Sequence, residues 1–444
     1  MTALVALGRR TITGLLSASG RQFVDWSAAY RLFSRARFDP DTIFAVPRRA
    51  VLDLLPHDQP VVAVMDDTLL RKRGHKIAGT SWHRDPLGPH FCDNFIWAQR
   101  FLQISAALPE GPGPSRARAI PIDMLHCPSP RKPRKKAPEA EWAEYRKQRE
   151  ANRLSLKGQE RIIQLRASLD QDGHVHRPLL VSVDGSYTNS TMLRHLPERT
   201  TLIGRIRKDA KLYHLPEGRD RRRYYGDAAP TPEQYRQDEA IPWQQTQAFL
   251  SGQLIAIEYK AISPLRWRAS GPLNLLLVII RPLAYRLAKK RHLSYRDPIY
   301  RICSDPGLSL PQLIQAYLWR WEVEVGFRDQ KTLLGSGEAQ VRSVESVGRV
   351  PALIAIAYAF LHLAIARVSK EQDLESLLPR PRWYPRGPGQ RISTQQAINL
   401  LRAELWGHAL GLDHPPDFVS KVALRTKSTD PPDHPASAIL YATG

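Results

Sequence analysis

Two apolar segments that end in acidic residues constrain the fold of this chain most. Residues 60–68 read PVVAVMDDT, and residues 177–187 read RPLLVSVDGSY. A short continuous apolar run bounded by turn residues predicts a buried strand. More strand-like sequence follows the first segment, ending with FIWAQRFLQISAAL at residues 95–108. This succession predicts a mixed β-sheet with buried strands.

Each of the two segments delivers a carboxylate at the end of its predicted strand. The first carries Asp66, with Asp67 beside it, and the second carries Asp184. Residues at strand ends lie at an edge of the sheet that substrates can reach. A single aspartate in this place is also typical of a capped turn. Two of them on strands of one sheet predict a shared acidic edge.

The sequence YLWRWEVEVGFRDQK predicts a helix that begins at Tyr317 and ends at Lys331. At about 100° per residue, Tyr317, Arg320, Glu324 and Lys331 fall within roughly 60° of one another on one helix face. A carboxylate can hold a divalent metal, and Arg and Lys can hold phosphate oxygens. The pattern is also typical of an amphipathic helix with an ion-paired exposed edge, since Glu324 and Arg328 are spaced i,i+4.

The charge of the chain indicates a polyanionic partner. Its 444 residues include 65 Lys and Arg against 43 Asp and Glu, a net charge of +22. Nucleic acid is the simplest partner for such a protein, and an anionic membrane surface is the weaker alternative. The three cysteines, Cys92, Cys127 and Cys303, form neither a disulfide framework nor a CxxC metal site. This usage fits a reducing cytoplasm, so we expect a cytoplasmic, nucleoid-associated protein.

The first half of the chain has three more regions of distinct composition. Residues 1–58 read as short helices with scattered arginines. They predict a helical DNA-binding region or, as an alternative, solvated basic helix faces. Residues 109–138 are rich in proline and predict a loop. Residues 131–170 include a highly charged helix whose net positive charge permits contact with backbone phosphates.

The second half adds an insertion and a helical end. Residues 210–295 predict a β-rich insertion, in which Trp243 and Trp267 either stack on an extruded base or pack against the protein. The apolar residues 351–368 are short for a membrane span and predict a buried core helix. Residues 367–444 predict a Pro-rich linker and a C-terminal helical region, whose helix over residues 395–410 is a candidate dimer contact.

These motifs resemble those of the DDE insertion-sequence transposases, a family with an RNase H-like catalytic domain. The family's spacing Tyr-x2-Arg-x3-Glu-x6-Lys, abbreviated YREK, is met in full by Tyr317, Arg320, Glu324 and Lys331. VVAVMDDT is similar to the family's first catalytic strand, and its Asp-x-Thr ending places the first acid at Asp66 and not at Asp67. LLVSVDGSY is similar to the strand that bears the second acid, Asp184. The resemblance covers roughly residues 60–366.

The resemblance implies an α/β fold with an RNase H-like mixed sheet flanked by helices. A β-rich insertion would interrupt this catalytic domain, which spans residues 59–366, between an N-terminal helical DNA-binding region and a C-terminal helical region. Asp66, Asp184 and Glu324 would be the catalytic acids and would bind two Mg²⁺ ions, for which Mn²⁺ would substitute. The DNA-binding residues would be Tyr317, Arg320 and Lys331, with Arg205, Arg207 and Lys208 as further contacts to the DNA backbone.

The function implied is that of a DNA transposase. It would bind double-stranded DNA at terminal inverted repeats, cut it, and join the freed 3′-OH to target DNA as a homodimer in the synaptic complex. Two alternatives stay open: a metal-dependent nuclease of the same fold, and a non-catalytic domesticated DNA-binding protein. The first lacks strand transfer, and the second binds without cutting.

Overall fold

The computed structural model describes residues 1–35, 37–89, 91–216, 224–285, 292–374 and 391–409. Most of the predicted Pro-rich linker, and the chain after residue 409, lie outside the described residues.

The N-terminal region consists of short helices that lead into the core of the sheet. These helices are α1 (Thr2–Val5), α2 (Ile12–Ala18), α3 (Ser27–Ser34) and α4 (Pro40–Leu54). Asp39 caps α4, because its carboxylate accepts hydrogen bonds from the backbone N–H groups of Asp41 and Thr42. Phe44 and Leu52 of α4 are buried in the two apolar clusters that cover the sheet. The last of the N-terminal helices is therefore part of the central core.

The next part of the chain forms the centre of the sheet. Its elements are β1 (Val61–Arg71), β2 (Ser81–Arg84), β3 (Phe95–Pro109), β4 (Ala117–His126), α5 (Glu139–Ala151), α6 (Leu154–Gln171), β5 (Leu179–Ser182), α7 (Ser190–Leu193) and β6 (Thr200–Arg205). β4, β3 and β1 are successively antiparallel, and β5 and β6 run parallel to β1. The order β4-β3-β1-β5-β6 is consistent with the RNase H-like mixed sheet that the sequence predicts.

The segment between residues 210 and 303 extends this sheet. Its elements are β7 (Leu212–Tyr213), β8 (Ala228–Ala229), α8 (Pro232–Gln237), β9 (Gln244–Leu250), β10 (Gln253–Trp267), β11 (Leu275–Ile280), β12 (Ala284–Tyr285), β13 (Ser294–Tyr295) and β14 (Ile299–Cys303). β14 pairs with β6, β11 pairs with β14, and β10 pairs with β11. The longer strands of the insertion therefore continue the central sheet.

Four helices complete the described chain: α9 (Leu310–Trp319), α10 (Trp321–Thr332), α11 (Val344–Val368) and α12 (Thr394–Ala409). The two faces of β1 pack against different helices. Met65 lies in the apolar cluster that contains Ile162 of α6, whereas Val64 packs against Val323 and Phe327 of α10. The sheet is thus covered by helices on both faces, and α10 lies directly over β1.

Helix α11 is a core helix, as predicted. Among the described residues it alone is long and apolar enough to cross a membrane by length and composition, yet 61% of its most apolar window is buried inside the protein. Ala359 and Leu363 of α11 belong to the main apolar cluster. The apolar residues Ala397 and Ile398 of α12 are likewise buried inside the chain. The proposed dimer contact through α12 stays a prediction.

Two predictions about elements away from the acids are wrong. The middle of the predicted loop over residues 109–138 forms β4, which the sequence hides because charged residues and a proline interrupt its apolar pattern. Asp123 of β4 is nevertheless buried, since Arg161 donates hydrogen bonds to its carboxylate, and Pro121 lies beside a bulge. The charged helix is also not continuous: it breaks after residue 151 into α5 and α6.

Candidate active site

The parallel pairing of β1 and β5 brings Asp66 and Asp184 to the same level. Val64 is paired with Ser182, so the two acids each lie two residues beyond that pair. Asp184 follows the end of β5, as predicted. Asp66 does not end its strand, because β1 continues to Arg71 by pairing with β3 after its pairing with β5 has stopped. The acidic edge therefore forms where β5 ends, next to the middle of β1.

Side-chain alternation along β1 separates Asp66 from Asp67. Asp66 shares the face of Val64 and points toward α10, where Arg320 reaches it. Asp67 points to the opposite face, where the Tyr187 hydroxyl donates to its Oδ1 at 2.9 Å and Arg100 Nε lies 3.5 Å from its Oδ2. Of the two neighbours, Asp66 is the one placed with the other candidate residues.

The loop after β5 fixes the position of Asp184. Its carboxylate accepts hydrogen bonds from the backbone N–H and the hydroxyl of Ser186, at 2.8 and 3.1 Å. The hydroxyl of Thr188 donates to the Asp184 carbonyl at 2.8 Å and lies against Gly204 of β6. A Cβ atom at residue 204 would lie 2.2 Å from the Thr188 hydroxyl oxygen, so only glycine lets the loop close onto the sheet here.

The helix predicted from Tyr317 to Lys331 is two helices. α9 ends at Trp319 and α10 begins at Trp321, with Arg320 between them. The N–H of Arg320 donates to the carbonyl of Tyr317, and the N–H of Val323 donates to that of Arg320. These i→i−3 bonds tighten the chain at the junction. The prediction of one continuous helix face is therefore wrong at this position.

Arg320 joins two of the predicted acids. Its Nη1 donates to Asp66 Oδ2 at 3.2 Å, and its Nη2 donates to Glu324 Oε1 at 3.0 Å. The Arg320 side chain is 14% exposed and that of Glu324 is 35% exposed. The junction between α9 and α10 thus holds one guanidinium against a strand acid and a helix acid.

The surroundings of the acidic edge disfavour the ionised form of its carboxyl groups. Burial raises the pKa of Asp66 to about 7, with the negative charges of Asp184 and Asp67 adding to this effect and Arg320 opposing it. Burial also raises the pKa of Asp67, against the influence of Arg100 and Tyr187. The acids on this edge outnumber the cation that Asp66 contacts, which favours the binding of further positive charge.

The other two residues of the YREK spacing lie apart. The Tyr317 hydroxyl accepts a hydrogen bond from Arg301 of β14. Lys331 is seven residues beyond Glu324, which is about 10 Å along a helix. Burial lowers the pKa of Lys331, and the charges acting on it are those of Arg71 and Asp85 near the far end of β1. Of the four predicted residues, only Arg320 and Glu324 are joined by a hydrogen bond between their side chains.

A basic groove of about 1290 Å³ opens beside Asp184. The residues that give it its character are Asp184, Arg205, Arg207, Lys208, Arg301 and Tyr317. The groove therefore joins the second strand acid to the three basic residues predicted for DNA contact. Arg207 pairs with Asp209 at 2.8 Å and is 84% exposed, and Arg205 and Lys208 are also exposed. This arrangement offers several cations to a polyanion that enters the groove.

Comparison with known families now adds a decisive observation. Residues 1–271, more than half of the chain, match the family described as DDE superfamily endonuclease. This chain belongs to that family. The matched residues of this DDE endonuclease include Asp66 and Asp184 but end before α9 and α10. Membership identifies an enzyme class that acts on DNA. No curated protein sequence matches the chain.

The acidic edge of this DDE endonuclease fits a divalent cation in part. Asp66 and Asp184 supply the hard oxygen ligands that Mg²⁺ prefers. Two buried polar atoms on the same face, Gln103 Oε1 and Ser182 Oγ, have no hydrogen-bond partner within the described residues. Gln103 lies opposite Asp66 in the β1–β3 register. These atoms are suited to hold water molecules around an ion.

The third acid is not brought into the same cluster. No three His, Cys, Asp or Glu side chains of the described chain converge closely enough to hold a metal ion together. Arg320 lies between Asp66 and Glu324 and contacts both. The predicted set of three acids is therefore present as a pair, with Glu324 attached through Arg320.

Sequence reasoning missed Arg301, Gln103 and Ser182. Arg301 stands in the short strand IYRIC, where a single basic residue gives no signal of a site. The two tryptophans beside Arg320 differ in burial: Trp319 packs and donates to the Ser115 carbonyl at 2.7 Å, whereas Trp321 is 60% exposed. Pairing between strands far apart in the chain is what places Arg301, Gln103 and Ser182 near the acids.

Proposed function

We propose that this DDE endonuclease is a DNA transposase that cuts at the terminal inverted repeats of an insertion sequence and transfers the 3′-OH end to target DNA. The observation that carries the proposal is the arrangement of Asp66, Asp184, Arg320 and Glu324 beside the basic groove. It combines a site for metal-assisted phosphoryl transfer with a surface for a DNA strand.

In this proposal Asp66, Asp184 and Glu324 hold the divalent metal ions, Mg²⁺ or Mn²⁺. When bound, such ions supply Lewis-acid stabilisation of the attacking and leaving oxygens of a phosphodiester. The raised pKa of Asp66 supports this role, because a nearby cation would favour the ionised carboxylate that burial disfavours. Measuring the cleavage rate in Mg²⁺ and in Mn²⁺ tests which ion the enzyme uses.

Arg320 has a distinct role in this proposal. A guanidinium binds phosphate oxygens in the same bidentate geometry as carboxylate oxygens. Arg320 could therefore exchange its contacts with Asp66 and Glu324 for the reactive phosphate of the DNA. The exchange would free both carboxylates for metal ions and place the phosphate next to them. Lys331, two helical turns away, would contact a different phosphate.

The test is cleavage of a duplex that carries the inverted repeat flanking the reading frame, in Mg²⁺, with wild type and Glu324→Ala. We expect the variant to bind the duplex with nearly unchanged affinity, since affinity depends mainly on Lys and Arg contacts to phosphates, but not to cut it. Glu345→Ala, an exposed glutamate at the start of α11, is the matched control and should cut normally. Cleavage by Glu324→Ala at the wild-type rate would refute the role of this helix.

A metal-dependent nuclease without strand transfer is the second candidate. It is favoured by the family match, whose description is that of an endonuclease and whose residues stop before α9 and α10. Supplying pre-cleaved ends and target DNA separates the two functions. Joined product supports the transposase, and cutting without joining supports the nuclease. Pairing of two ends further predicts at least a dimer on DNA, which sedimentation of the protein–DNA complex would reveal.

A further inference from the structure

Arg301 is a buried cation without an acidic partner. It is 6% exposed, and its Nε atom has no hydrogen-bond partner within the described residues. Its Nη1 donates to the carbonyl of Tyr300 at 2.7 Å. No carboxylate of the described chain forms an ion pair with it. A buried charge without a counter-ion is costly, so its presence at the wall of the groove requires a reason.

Arg301 contacts both the ring and the hydroxyl of Tyr317. Its guanidinium carbon lies 3.7 Å from the centre of the Tyr317 ring, and its Nη2 donates to the Tyr317 hydroxyl. Because the phenol oxygen accepts this bond, the phenol proton is left to donate elsewhere. The described chain offers it no acceptor. Tyr317 is therefore oriented as a hydrogen-bond donor at the groove.

A second cation lies directly opposite. Arg301 of β14 is paired with Arg205 of β6, so two like charges occupy one cross-strand position. Like charges in this position are destabilising unless an anion lies between them. Arg205 has no carboxylate partner in the described chain, and its side chain passes close to Gly185, the residue after Asp184. The two arginines and the tyrosine therefore surround a point next to the acidic edge.

Two of the acids that line this groove are paired with other residues. Asp209 is paired with Arg207, and Glu233 is paired with Arg236 and accepts a hydrogen bond from Tyr300. Arg205 and Arg301 are two cations of the groove that have no ion-paired acid within the described residues. The charge of Arg320 also acts on Arg301. An anion with several acceptor oxygens would satisfy this group of donors.

We propose that Arg301 is a positioning residue: it makes the Tyr317 hydroxyl a donor to one backbone phosphate of DNA, which Arg205 also contacts. The inference rests on the proposed function in one respect, namely that DNA enters the basic groove. It adds to that function a residue from β14, which the spacing of the helix residues does not include.

The test is a double-mutant cycle on the affinity for a DNA duplex, measured without divalent metal so that cleavage plays no part. The variants are Arg301→Met, Tyr317→Phe and their combination. Each single change should weaken binding roughly tenfold to a hundredfold, the effect of a lost hydrogen bond to a charged group. Because Arg301 acts through the hydroxyl, the combination should bind about as well as the weaker single variant. Losses that multiply would overturn the positioning role.

A conservative variant and a control complete the experiment. Arg301→Lys keeps the charge and should restore part of the affinity that Arg301→Met loses, whereas a purely structural role predicts no such rescue. Arg281→Met removes an exposed arginine that pairs with Glu258 and should change the affinity by less than about twofold. If Arg301→Met proves unfolded in a melting experiment, Arg301→Lys takes its place in the cycle with Tyr317→Phe, and multiplying losses again contradict the positioning role.

The outcomes separate this phosphate subsite from the proposed function. Coupled losses in a protein that binds DNA but neither cuts nor joins it would support the subsite and refute the transposase. Independent losses in a protein that cuts and joins DNA would refute the subsite and support the transposase. A wild-type protein that binds no duplex overturns the subsite directly.

Discussion

Acidic residues lie on both sides of helix α10, but they are paired differently on the two sides. On the front, Arg320 alone contacts both Asp66 and Glu324. On the back, acids have dedicated partners: Arg391 pairs with Glu322 at 2.5 Å, and the Thr394 hydroxyl donates to Asp329 at 2.6 Å. We refer to Glu322, Asp329, Arg391, Thr394 and the residues that they contact as the back network.

The back network extends deep into the protein without losing partners. Arg118 contacts His362 at 3.0 Å and pairs with Glu110 at 2.6 Å, and the Thr394 hydroxyl lies 3.2 Å from the other ring nitrogen of His362. It thereby ties α12, α11 and β4 to the back of α10. Paired charges on the back therefore hold the helix in place, whereas the acids on the front share one cation and remain able to bind a metal ion. The predictions below test this division.

The largest effect is expected at Asp66. Asp66→Asn should lower the cleavage rate by roughly 10²–10³-fold or more, because several kcal/mol of metal-assisted stabilisation are lost. The melting temperature should not fall, since burial already disfavours the ionised carboxylate, as its raised pKa of about 7 indicates. Cleavage kinetics and thermal melting check both statements.

Asp67→Asn is the matched comparison for this change. It removes the charge of the carboxylate that Tyr187 and Arg100 contact on the opposite face of the sheet. Compared with Asp66→Asn, it should therefore lower the melting temperature more and the cleavage rate less. Equal losses of cleavage in the two variants would contradict the assignment of the faces.

Arg391→Met should cause the largest loss of stability. Arg391 pairs with Glu322 and donates to the carbonyl of Ala117, so the variant leaves two partly buried acceptors without a donor. We expect the free energy of unfolding to fall by about 2–3 kcal/mol, measured by urea denaturation. The specific cleavage activity of the folded fraction should stay near that of wild type; a catalytic loss without loss of stability would place Arg391 in the site.

Thr394→Val should cost about 1–2 kcal/mol, because it leaves buried Asp329 without the hydroxyl that donates to it. Thr332→Val is the control: Thr332 is exposed, and its hydroxyl donates only to a carbonyl of its own helix. Urea denaturation of both variants measures the difference. An equally stable Thr394→Val would show that this part of the back network contributes little.

The pH dependence of stability should report on His362. Burial, and then the charges of Arg118 and Arg391, hold the pKa of His362 well below its usual value. The unfolded state therefore takes up a proton first, and the contribution of neutral His362 is present above about pH 6.5 and lost as the pH falls below it. Unfolding of wild type and His362→Gln between pH 7.5 and about pH 5 should show a weaker decline in the variant.

The smallest effect is expected at Lys208, an exposed residue of the groove. Lys208→Met should weaken DNA binding modestly and reduce the slope of log affinity against log salt by about 0.9, the effect of one phosphate contact. Binding titrations at several salt concentrations measure the slope. An unchanged slope would remove Lys208 from the DNA path.

Much of this protein follows from local sequence. Continuous apolar runs predict the strand that contains Asp66 and the strand that Asp184 follows, since a strand buried on both faces needs apolar side chains throughout. The excess of Lys and Arg predicts a polyanionic partner, and membership of a DNA-cutting family agrees with it. The helical character around Arg320 and the core position of α11 follow from the same kind of pattern.

Other features depend on contacts between distant residues. Strand β4 escapes prediction because its buried Asp123 is paired with Arg161, 38 residues away. The break between α9 and α10 is also invisible in the periodicity, since Arg320 keeps helical dihedral angles. A pattern of apolar residues records what is buried, but not which polar residues are buried together with a partner.

Local sequence establishes which acids are available, and that Asp66 and Asp184 lie on a buried strand or directly after one. The packed fold adds three facts: Asp66 and not Asp67 faces α10, Arg320 joins Asp66 to Glu324, and Arg301 contacts Tyr317. The physical reason is that alternation along a strand fixes two opposite faces but not which helix covers each one. That choice is made by packing and by pairing between strands far apart in the chain.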